Sequence, residues 1–520
     1  MNHTSFFGSS CRRRHQRVEG RFVRRCLLAG VVAVSVTASL SAFADDAEPG
    51  NSLPRLGLSP GDPQERSALP ATPFGIPPSQ SKDYVLDFHG YVLLPLNMAW
   101  HKREAPRPGQ SAVVIHNPPL IPQDIRRFQY VGVVPQPWVQ LNFSYGNSTV
   151  AATMILAARQ LTDAAGIFNP VDQLGLSDAF LRVNLSEALK VPVEVHVGAY
   201  TGRYGAMGEW DLGRLNTPLI ARTNTIGESI YAAPKLGPNT TLMLEQGFGG
   251  QLGRPPIGTV PEGWNDFADT GVGGSFANQF HVGLSHKGVG GIGLHYITAW
   301  SWDDQASVGN IPDGRITVIG ADARMTAGRL GHLYAGVAHT QLTNSAVVGG
   351  VVEVLNARGG PELIREYLGP NSAGQGSLTT FGGQYDLSVA RAVYGDWFKG
   401  QSPDLMLSLF GLGVKVKSHD ADYDGVTKIK FGAEATYGMV SWFGVGTRFD
   451  RVAQGSKSFS ILSPRLLFHT DWYSRDQFVI QYSHFTYDKG VEVETGYPAV
   501  DDPTANPDKD VLSIMGSFWW

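Results

Sequence analysis

The sequence predicts an all-β protein: a transmembrane, antiparallel, up-and-down β-barrel of about eighteen strands, with sixteen as the alternative count. Three observations predict this fold. The last segment of the chain has two chemically different faces, the connections between β-prone segments alternate in length, and the composition is low in charge and rich in glycine. A barrel in a membrane needs an apolar outside, short turns at one end and long loops at the other.

The last segment, "DVLSIMGSFWW", has the two-residue period of a strand. Leu512, Ile514, Gly516, Phe518 and Trp520 share an apolar face, whereas the intervening residues form a mixed face. An aromatic residue at the rim of the apolar face suits a membrane-water interface. A buried last strand of a soluble β-domain would show the same pattern, so the rest of the chain decides between the two.

The composition favours the membrane barrel. Charged residues make up 17% of the chain, below the roughly 25% of soluble domains, and 62 of the 520 residues are glycine. Mean hydropathy is nevertheless only -0.11. After residue 45, no run approaches the about 20 apolar residues that a membrane helix needs. These values together fit a sheet whose apolar outside is balanced by a polar inside.

The start of the chain predicts export. Seven arginines precede the apolar run "CLLAGVVAVSVTASL", and Ala42-Phe43-Ala44 matches an A-x-A cleavage site, so residues 1–44 are predicted to be a signal peptide. Residues 45–82 are rich in proline and glycine and predict a flexible periplasmic leader. Residues 83–520 form the predicted transmembrane barrel.

Cysteine content and charge exclude several classes of function. Cys11 and Cys26 both lie in the predicted signal peptide, so the mature chain has no thiol for a disulfide, a zinc site or a nucleophile. The formal net charge of the full chain is -4, and removal of the arginine-rich leader makes the mature chain more acidic. We therefore expect no nucleic-acid partner.

From residue 84 onward, about eighteen segments have the length and pattern of barrel strands. They are predicted at 84–96, 128–145, 148–160, 178–186, 191–202, 227–236, 239–248, 276–287, 289–302, 313–326, 329–342, 376–389, 403–417, 426–439, 441–453, 457–470, 475–488 and 509–520.

The connections between these segments alternate in length. Tight turns such as "YGNST", "LGPNT" and "HKGVG" follow even-numbered segments, whereas most links after odd-numbered segments are long. The long links are 97–127, 161–177, 203–226, 249–275, 343–375 and 489–508. Two links do not follow this alternation: 390–402 is longer than a turn, and 454–456 is short for an outer loop. A soluble β-sandwich gives no reason for such alternation, whereas a membrane barrel requires it.

Polar residues alternate with apolar ones along single strands, as in "TKIKFGAEATYGM". Such polar sets are tolerated in a membrane only if they face water or one another, so they predict a wet interior. Structural cross-strand pairing is the alternative role for each of these residues. The inward candidates are Asp87, His89, Asp178, Arg182, Glu194, His196, Glu245, Asp322, Arg324, Lys428, Lys430, Glu434, Arg448, Asp450, Arg465, His469 and Asp471.

With the signal, the alternating loops and the final "LSIMGSFWW", the whole mature chain resembles a Gram-negative outer-membrane β-barrel of the general porin type. The resemblance implies location in the outer membrane, with outer-membrane lipid and lipopolysaccharide as surroundings. It also implies that Leu512, Ile514, Phe518 and Trp520 are similar to the signal read by the barrel assembly machinery, although phenylalanine is commoner than tryptophan at the last position. A homotrimer is one option for the assembly.

Barrel size carries the functional prediction. Barrels of sixteen to eighteen strands leave an aqueous channel, whereas a barrel of 22 strands would need a longer chain and a plug. We therefore expect a porin that lets small hydrophilic solutes diffuse passively, without enzymatic activity and without a required cofactor. Both charge signs occur in similar number among the inward candidates, so strong anion selectivity is not expected.

Two links are candidates to narrow the channel. The third long link, 203–226, carries Arg203, Glu209, Asp211, Arg214 and Arg222, and it matches in order the loop that folds inward in many porins. The longest, 343–375, has apolar spacing that predicts two short helices split at "GGP". Either link could instead lie outside as a cap. The resemblance favours the third link as the constriction.

One acidic stretch, "HDADYDGVTKIKF", has carboxylates at alternate positions followed by glycine. Asp420, Asp422 and Asp424 could supply oxygen ligands for calcium in an outer loop. Position 12 of such a loop would be Phe431 rather than glutamate, so an acidic solvated loop is the alternative.

Two other classes of function remain open at this point. A lipid-active barrel enzyme would need a positioned nucleophile and base, but the neighbours Ser483 and His484 point to opposite faces of a strand, and neither G-x-S-x-G nor H-E-x-x-H occurs. An adhesin or structural anchor would use the long loops as its working surface. Blockage of a wide barrel by link 343–375 would favour the anchor.

Overall fold

The computed structural model describes residues 82–100, 138–159, 174–210, 215–252, 273–286, 288–303, 314–355, 357–358, 363–395, 403–453, 458–470, 476–488 and 510–519. The predicted signal peptide and nearly all of the predicted leader lie outside these residues. The division of the chain at residues 44 and 82 therefore stays a prediction.

Eighteen strands form the wall of the protein, each between 9 and 18 residues long. They are β1 (Val85–Trp100), β2 (Trp138–Gly146), β3 (Val150–Arg159), β4 (Leu174–Asn184), β5 (Val193–Trp210), β6 (Leu215–Ala232), β7 (Thr240–Leu252), β8 (Gly273–His286), β9 (Gly290–Asp303), β10 (Arg315–Thr326), β11 (His332–Thr343), β12 (Gly376–Ser388), β13 (Asp404–Ser418), β14 (Thr427–Val440), β15 (Phe443–Ala453), β16 (Phe459–Phe468), β17 (Asp476–Tyr487) and β18 (Asp510–Trp519).

The strands form one closed ring. Each strand pairs antiparallel with the next strand along the chain, from β1 with β2 through β17 with β18. The first strand also pairs with the last, from Tyr91 opposite Trp519 to Trp100 opposite Asp510. The predicted up-and-down antiparallel barrel of eighteen strands is therefore confirmed.

The wall has an apolar outer face and a mixed inner face. In β14, Ile429, Phe431 and Tyr437 are 39%, 49% and 40% exposed, whereas the alternating Lys430 is fully buried. In β18, Phe518 is exposed while Val511 and Met515 are buried. Outward side chains are thus the exposed ones, and the two-residue alternation predicted from the sequence is present.

The connections divide the barrel into two ends. Connections 147–149, 233–239, 288–289, 327–331 and 441–442, with their neighbours in the ring, lie at what we call the short-turn end. The strand ends on either side of 101–137, 253–272, 344–375 and 488–509 lie at the opposite end, which we call the long-loop end. A short strand, Lys235–Gly237, and a 3-10 turn, Gly328–Leu330, also lie at the short-turn end.

Two short helices occupy short-turn connections. Helix α1 (Ser186–Leu189) lies between β4 and β5, and helix α2 (Val389–Tyr394) lies between β12 and β13. Ser388 caps α2 by accepting a hydrogen bond from the Arg391 amide, and its hydroxyl donates to Asp404 over 2.6 Å. Helix α2 explains why link 390–402 is long for a turn. No helix in the described part of the chain is long and apolar enough to cross a bilayer.

The predicted loop at 203–226 is wrong, because its described residues, 203–210 and 215–226, belong to strands β5 and β6. Beyond Ala199, β5 no longer pairs with β4, and β6 pairs with β7 only from Ile226 onward. The two strands therefore leave the wall together as a β-hairpin. We call residues 200–210 and 215–225 the inward hairpin.

The inward hairpin bends at a glycine. Gly205 has a φ of +74°, and the register of β5 against β6 shifts on both sides of Ala206. A side chain at Gly205 would collide with Ile220 on the opposite strand. Strand β5 also approaches β9, β10, β11 and β12, with which it does not pair in the wall. A sequence-based loop assignment misses this arrangement because a bulged hairpin breaks the two-residue period.

The first of the two helices predicted in 343–375 is also wrong. Residues Val352–Val354 and Ala357–Arg358 form a small β-hairpin instead, and only the second predicted helix has a helical counterpart, the π-helical turn Ile364–Leu368. The 3-10 turns Ser345–Val347 and Pro370–Ser372 flank them. The valine-rich "VVEVL" favours a strand when an unpaired strand edge is available, and β6 of the inward hairpin provides that edge.

Prediction for the bend. The substitution Gly205→Val should lower the free energy of unfolding by about 1–3 kcal/mol, because it places a branched side chain at positive φ and against Ile220. Urea unfolding in detergent micelles, followed by circular dichroism, measures the change. Gly516→Val is the matched control, since no atom lies within 4 Å of the position of its added Cβ. Equal effects of both substitutions would contradict the bend.

Candidate functional site: the barrel interior

The structure places most of the predicted inward residues on the inner face. Those that are buried are Asp178, Arg182, Glu194, His196, Glu245, Lys428, Lys430, Arg448, Asp450, Arg465 and His469, and those that are partly buried are Asp87, Asp322, Arg324 and Glu434. The side chain of His89 and the whole of Asp471 lie outside the description. A role of these residues in lining a pore stays a prediction.

A first polar cluster lies on β4 and β5. His196 Nε2 lies 2.5 Å from Glu194 Oε1, and Arg182 Nε lies 3.7 Å from the same oxygen. The His196 ring stacks on Phe180 with ring centroids 5.1 Å apart. Register brings these residues together, because Arg182 pairs with His196 and Asn184 with Glu194.

A second cluster spans β14, β15 and β16. Arg448 donates two hydrogen bonds to Asp450, of 2.7 and 2.8 Å, and Lys430 Nζ lies 3.8 Å from the same carboxylate. Arg465 reaches across β15 to pair with Glu434. Lys430 with Asp450 and Arg465 with Glu434 are cross-strand ion pairs, the structural role that the sequence left open, whereas Arg448 and Asp450 pair along one strand.

A third cluster, the histidine belt, comprises Glu245, His281, His295 and Asp322 on β7 to β10. Glu245 pairs in register with His281, and His281 pairs with His295. The two histidines are joined by a 2.9 Å hydrogen bond between their Nδ1 atoms, and His295 Nε2 hydrogen-bonds Asp322. Four neighbouring strands thus contribute one continuous polar row.

Glycines make room for the histidine rings. A Cβ at Gly283 would lie 2.8 Å from His281 Nε2, and one at Gly293 would lie 2.8 Å from His281 Cε1. The inner face can hold two aromatic rings side by side here only because these positions have no side chain.

The inward hairpin is attached to the histidine belt by one tyrosine. The Tyr204 hydroxyl donates to Glu245 Oε1 over 3.1 Å, and its ring meets the His295 ring edge-on at 5.7 Å between centroids. Further along, Thr223 donates to Gln279 over 2.6 Å. The hairpin is therefore held against the inner faces of β7, β8 and β9.

The link between β11 and β12 crosses the interior on the long-loop side of the inward hairpin. We call its described residues, 344–355, 357–358 and 363–375, the strap. At one side, Val352–Val354 pairs antiparallel with Ala221–Thr223 of the inward hairpin, and Arg222 pairs with Glu353. The Gly349 amide donates to Ser275 of β8 over 2.7 Å.

The other side of the strap is attached to β13 and β14. Lys428 Nζ donates to the carbonyl of Glu366 over 2.6 Å and lies 4.8 Å from the Tyr367 ring centroid. Ser418 donates to the carbonyl of Leu368 over 2.5 Å. The strap thus spans from the inward hairpin to the opposite part of the wall.

An apolar cluster fills the space between the strap and the wall. Val351, Leu363 and Leu368 of the strap belong to the same buried cluster as Ile316 and Val414 of the wall. Ile297, Leu342, Leu378 and Val416 extend it along the inner face near the long-loop end. The interior is therefore apolar and filled on this side near the long-loop end, and polar toward the short-turn end.

The structure describes the side chain of only one of the five predicted constriction residues. Arg222 lies on the inward hairpin and pairs with Glu353. Arg203 and Glu209 lie in β5, but their side chains are not described, and Asp211 and Arg214 lie outside the described residues. Their effect on a pore stays a prediction.

The three aspartates of the predicted calcium loop do not converge. Asp420 accepts a hydrogen bond from the Asn371 amide of the strap over 2.9 Å, and Asp424 accepts one from the Ser418 amide over 3.0 Å. Among the described residues, no group of three acidic, histidine or cysteine side chains is placed to hold a metal ion. Two of the carboxylates instead stabilise the connection from β13 to β14 and the end of the strap.

The predicted assembly signal lies on the outer face of β18. Leu512 and Ile514 are half-buried, Phe518 is 49% exposed, and Trp520 lies outside the described residues. Ser483 and His484 of β17 do lie on opposite faces: Ser483 is buried against Ser463, whereas His484 is exposed and hydrogen-bonds Asp510.

Sequence reasoning missed the histidine pair, although a signal was present. The tight turn "HKGVG" pairs His286 with Gly290, and counting back from it along both strands places His281 opposite His295. The contact of Tyr204 had no comparable signal, because it depends on the hairpin leaving the wall.

Similar proteins are found for this chain among solved structures. No protein-family model matches the chain, and no curated protein matches it. Among solved structures, it is similar to the outer membrane channel DcaP of Acinetobacter baumannii, with 8% identity, a TM-score of 0.39 and coverage of 84% of this chain and 97% of that one. It is also similar to Acinetobacter baumannii OccAB3, with 10% identity, a TM-score of 0.39 and coverage of 84% of this chain and 99% of that one. For Pseudomonas aeruginosa OccK5, the identity is 11%, the TM-score is 0.37, and the coverage is 84% of this chain and 98% of that one. The fold assignment rests on the strand pairings themselves.

Prediction for the strap. Cysteines replacing Ala221 and Val354 should form a disulfide, because these residues pair directly across two strands and a chain without residues 1–44 has no other cysteine. Antiparallel pairs place Cα atoms about 4.5–5.5 Å apart, within the range of disulfides. Non-reducing electrophoresis detects the link. Cysteines at Val354 and at the outward-facing Ile226 are the control; cross-linking of the control alone would contradict the docking of the strap.

Proposed function

We propose that this protein is an outer-membrane channel through which small hydrophilic solutes diffuse. The observation that carries the proposal is the closed ring of eighteen strands whose inner face bears charged residues of both signs. Closed barrels of sixteen to eighteen strands enclose an aqueous space, and side chains on their inner face set which solutes pass.

The inward hairpin and the strap would set the width of this channel. Both occupy the interior toward the long-loop end, and the strap is fixed at both sides by hydrogen bonds and ion pairs. A path for solutes would run beside them. Because Arg448 pairs with Asp450 and Arg465 with Glu434, much of the inner charge is balanced locally, so we propose weak ion selectivity.

The cellular setting belongs to the same proposal. Residues 1–44 would direct export and be removed, and residues 45–82 would lie in the periplasm. The last strand would be read by the barrel assembly machinery, and the exposed apolar belt would contact outer-membrane lipid and lipopolysaccharide. A homotrimer stays one option for the assembly, calcium binding at the 419–426 loop stays a prediction, and no cofactor or catalytic step is part of the proposal.

A structural anchor is the second candidate, and the strap is the observation that favours it. The strap crosses the interior and buries Val351, Leu363 and Leu368 against the wall. If it closes the barrel completely, the long loops would be the working surface and no solute would pass.

Prediction for conduction. The purified chain lacking residues 1–44 should open discrete, ohmic channels of nanosiemens order in a planar bilayer. Replacing residues 349–372 with a short Gly-Ser linker should raise the conductance several-fold, because it removes the strap from the interior.

The conductance result separates the two candidates. Silence of the intact chain at verified insertion, with large openings in the shortened chain, would favour the anchor. Silence of both would contradict the channel. The reversal potential in a salt gradient, close to zero under weak selectivity, tests the proposed charge balance.

A further inference from the structure

One ring nitrogen of the histidine belt has no hydrogen-bonding partner in the described part of the chain. His281 is 3% exposed, and its Nε2 atom is buried without a hydrogen bond to any described residue. A buried polar atom normally has a partner, which can be protein, water or a bound ion. The groups that surround Nε2 therefore indicate what it binds.

The hydrogen bonds of the belt assign the protons of both rings. An ionised carboxylate only accepts, so His295 donates to Asp322 from Nε2. With both rings neutral, His295 Nδ1 is an acceptor, and His281 Nδ1 donates the 2.9 Å hydrogen bond between the rings. The free lone pair of His281 is therefore on Nε2. Histidines that bind metals are oriented in the same way, because their other ring nitrogen donates to a fixed acceptor.

A methionine lies beside this lone pair. Met243, Gly283, Gly293 and Asp322 pair in register and form the row next to the belt on the inner face. A Cβ at Gly283 would lie 2.8 Å from His281 Nε2 and 2.7 Å from the methyl carbon of Met243. The imidazole nitrogen and the thioether group thus both lie over the same glycine. Met243 is itself buried, with 8% of its surface exposed.

This pair of donors favours a soft cation. Thioether sulfur binds copper(I) and similar soft ions, and imidazole nitrogen binds copper as well. Zinc and calcium take four or more ligands. Among the described residues, no group of three acidic, histidine or cysteine side chains is placed to supply them. A soft monovalent ion, in contrast, is satisfied by two ligands.

The charges around the two donors suit a cation. The belt has a carboxylate at each end, Glu245 on β7 and Asp322 on β10, and Glu245 lies two residues from Met243 on the same face. Arg324 of β10 lies over the ring of Tyr334 on β11, on the opposite side of the belt from Met243. A buried cation is stabilised by nearby carboxylates, whereas apolar surroundings alone would make its burial costly.

We propose that His281 Nε2 and the thioether sulfur of Met243 bind a soft monovalent cation, silver or copper(I), that enters from the barrel interior. His295 and Asp322 hold the imidazole in the orientation that this requires. The site goes beyond passive diffusion, because it retains an ion on the wall. It depends on the pairing of β7 to β10 and not on whether the barrel conducts.

The test measures silver binding, because silver takes the same donors as copper(I) without a change of redox state. The chain lacking residues 1–44 is dialysed in detergent against silver nitrate without chloride, which would precipitate silver. Elemental mass spectrometry then counts the bound ions. Met243→Leu, a substitution that nearly conserves volume, should weaken the tightest site roughly tenfold or more, since it removes a direct ligand. Met154→Leu, at an outward position that is 41% exposed, is the matched control and should not change binding.

Two further measurements examine the imidazole. His281→Gln should abolish the tightest site, and His295→Phe, which keeps both ligands, should weaken it roughly tenfold because His281 loses its fixed acceptor. Circular dichroism checks that these variants fold. X-ray absorption of the silver-loaded chain should find one nitrogen and one sulfur neighbour.

Three results would overturn the proposal. The first is equal silver affinity of Met243→Leu and the unsubstituted chain. The second is an absorption spectrum with nitrogen or oxygen neighbours and no sulfur, which would indicate an imidazole and water alone. The third is displacement of silver by zinc at equal concentration, which would show that the site does not select soft ions.

Discussion

The pairing of β1 with β18 is the contact on which the rest of the structure depends. It removes both open edges of the sheet, so that each wall strand has a hydrogen-bonding partner on either side. In a membrane this condition is strict, because a free backbone amide or carbonyl in hydrocarbon costs several kcal/mol. Closure also fixes which face of each strand is lipid-exposed. Every polar side chain on the alternate positions must then be stabilised inside, by water or by its neighbours.

Two arrangements stabilise the side chains that face the interior. Toward the short-turn end, charged residues pair with one another, as Arg465 does with Glu434 and His295 with Asp322. Toward the long-loop end, the chain itself fills the space. Where β5 and β6 leave the wall, they lose the hydrogen-bonding partners that neighbouring strands give them. The strap supplies one such partner, because Val352–Val354 pairs with Ala221–Thr223 of β6. The same physical condition that closes the wall therefore accounts for the docking of the strap onto the hairpin.

The strands of the wall were predictable because their two faces differ in chemistry, so the period of two is legible in the sequence from β3 to β18. The even count and the length of most connections followed from the same pattern. The inward hairpin was not predictable, because both of its faces contact protein and the bulge at Gly205 interrupts the period. The "VVEVL" segment was misassigned for a related reason: its conformation is decided by the free edge of β6 rather than by local spacing. The aspartates at 420–424 have the composition of a calcium loop, but the sequence does not reveal that Asp420 and Asp424 accept hydrogen bonds from backbone amides.

The central claim is that the inner face of the closed barrel is in contact with water that connects the two sides of a membrane. Cysteines at two adjacent positions of β14 test it most directly: Glu434 faces inward with a side chain 22% exposed, and Ala435 faces outward. In a planar bilayer, a charged, water-soluble thiol reagent should reduce the current of Glu434→Cys in discrete steps and leave that of Ala435→Cys unchanged. Equal reaction at both positions, or reaction at Ala435→Cys alone, would contradict the assignment of the two faces and the channel built on it.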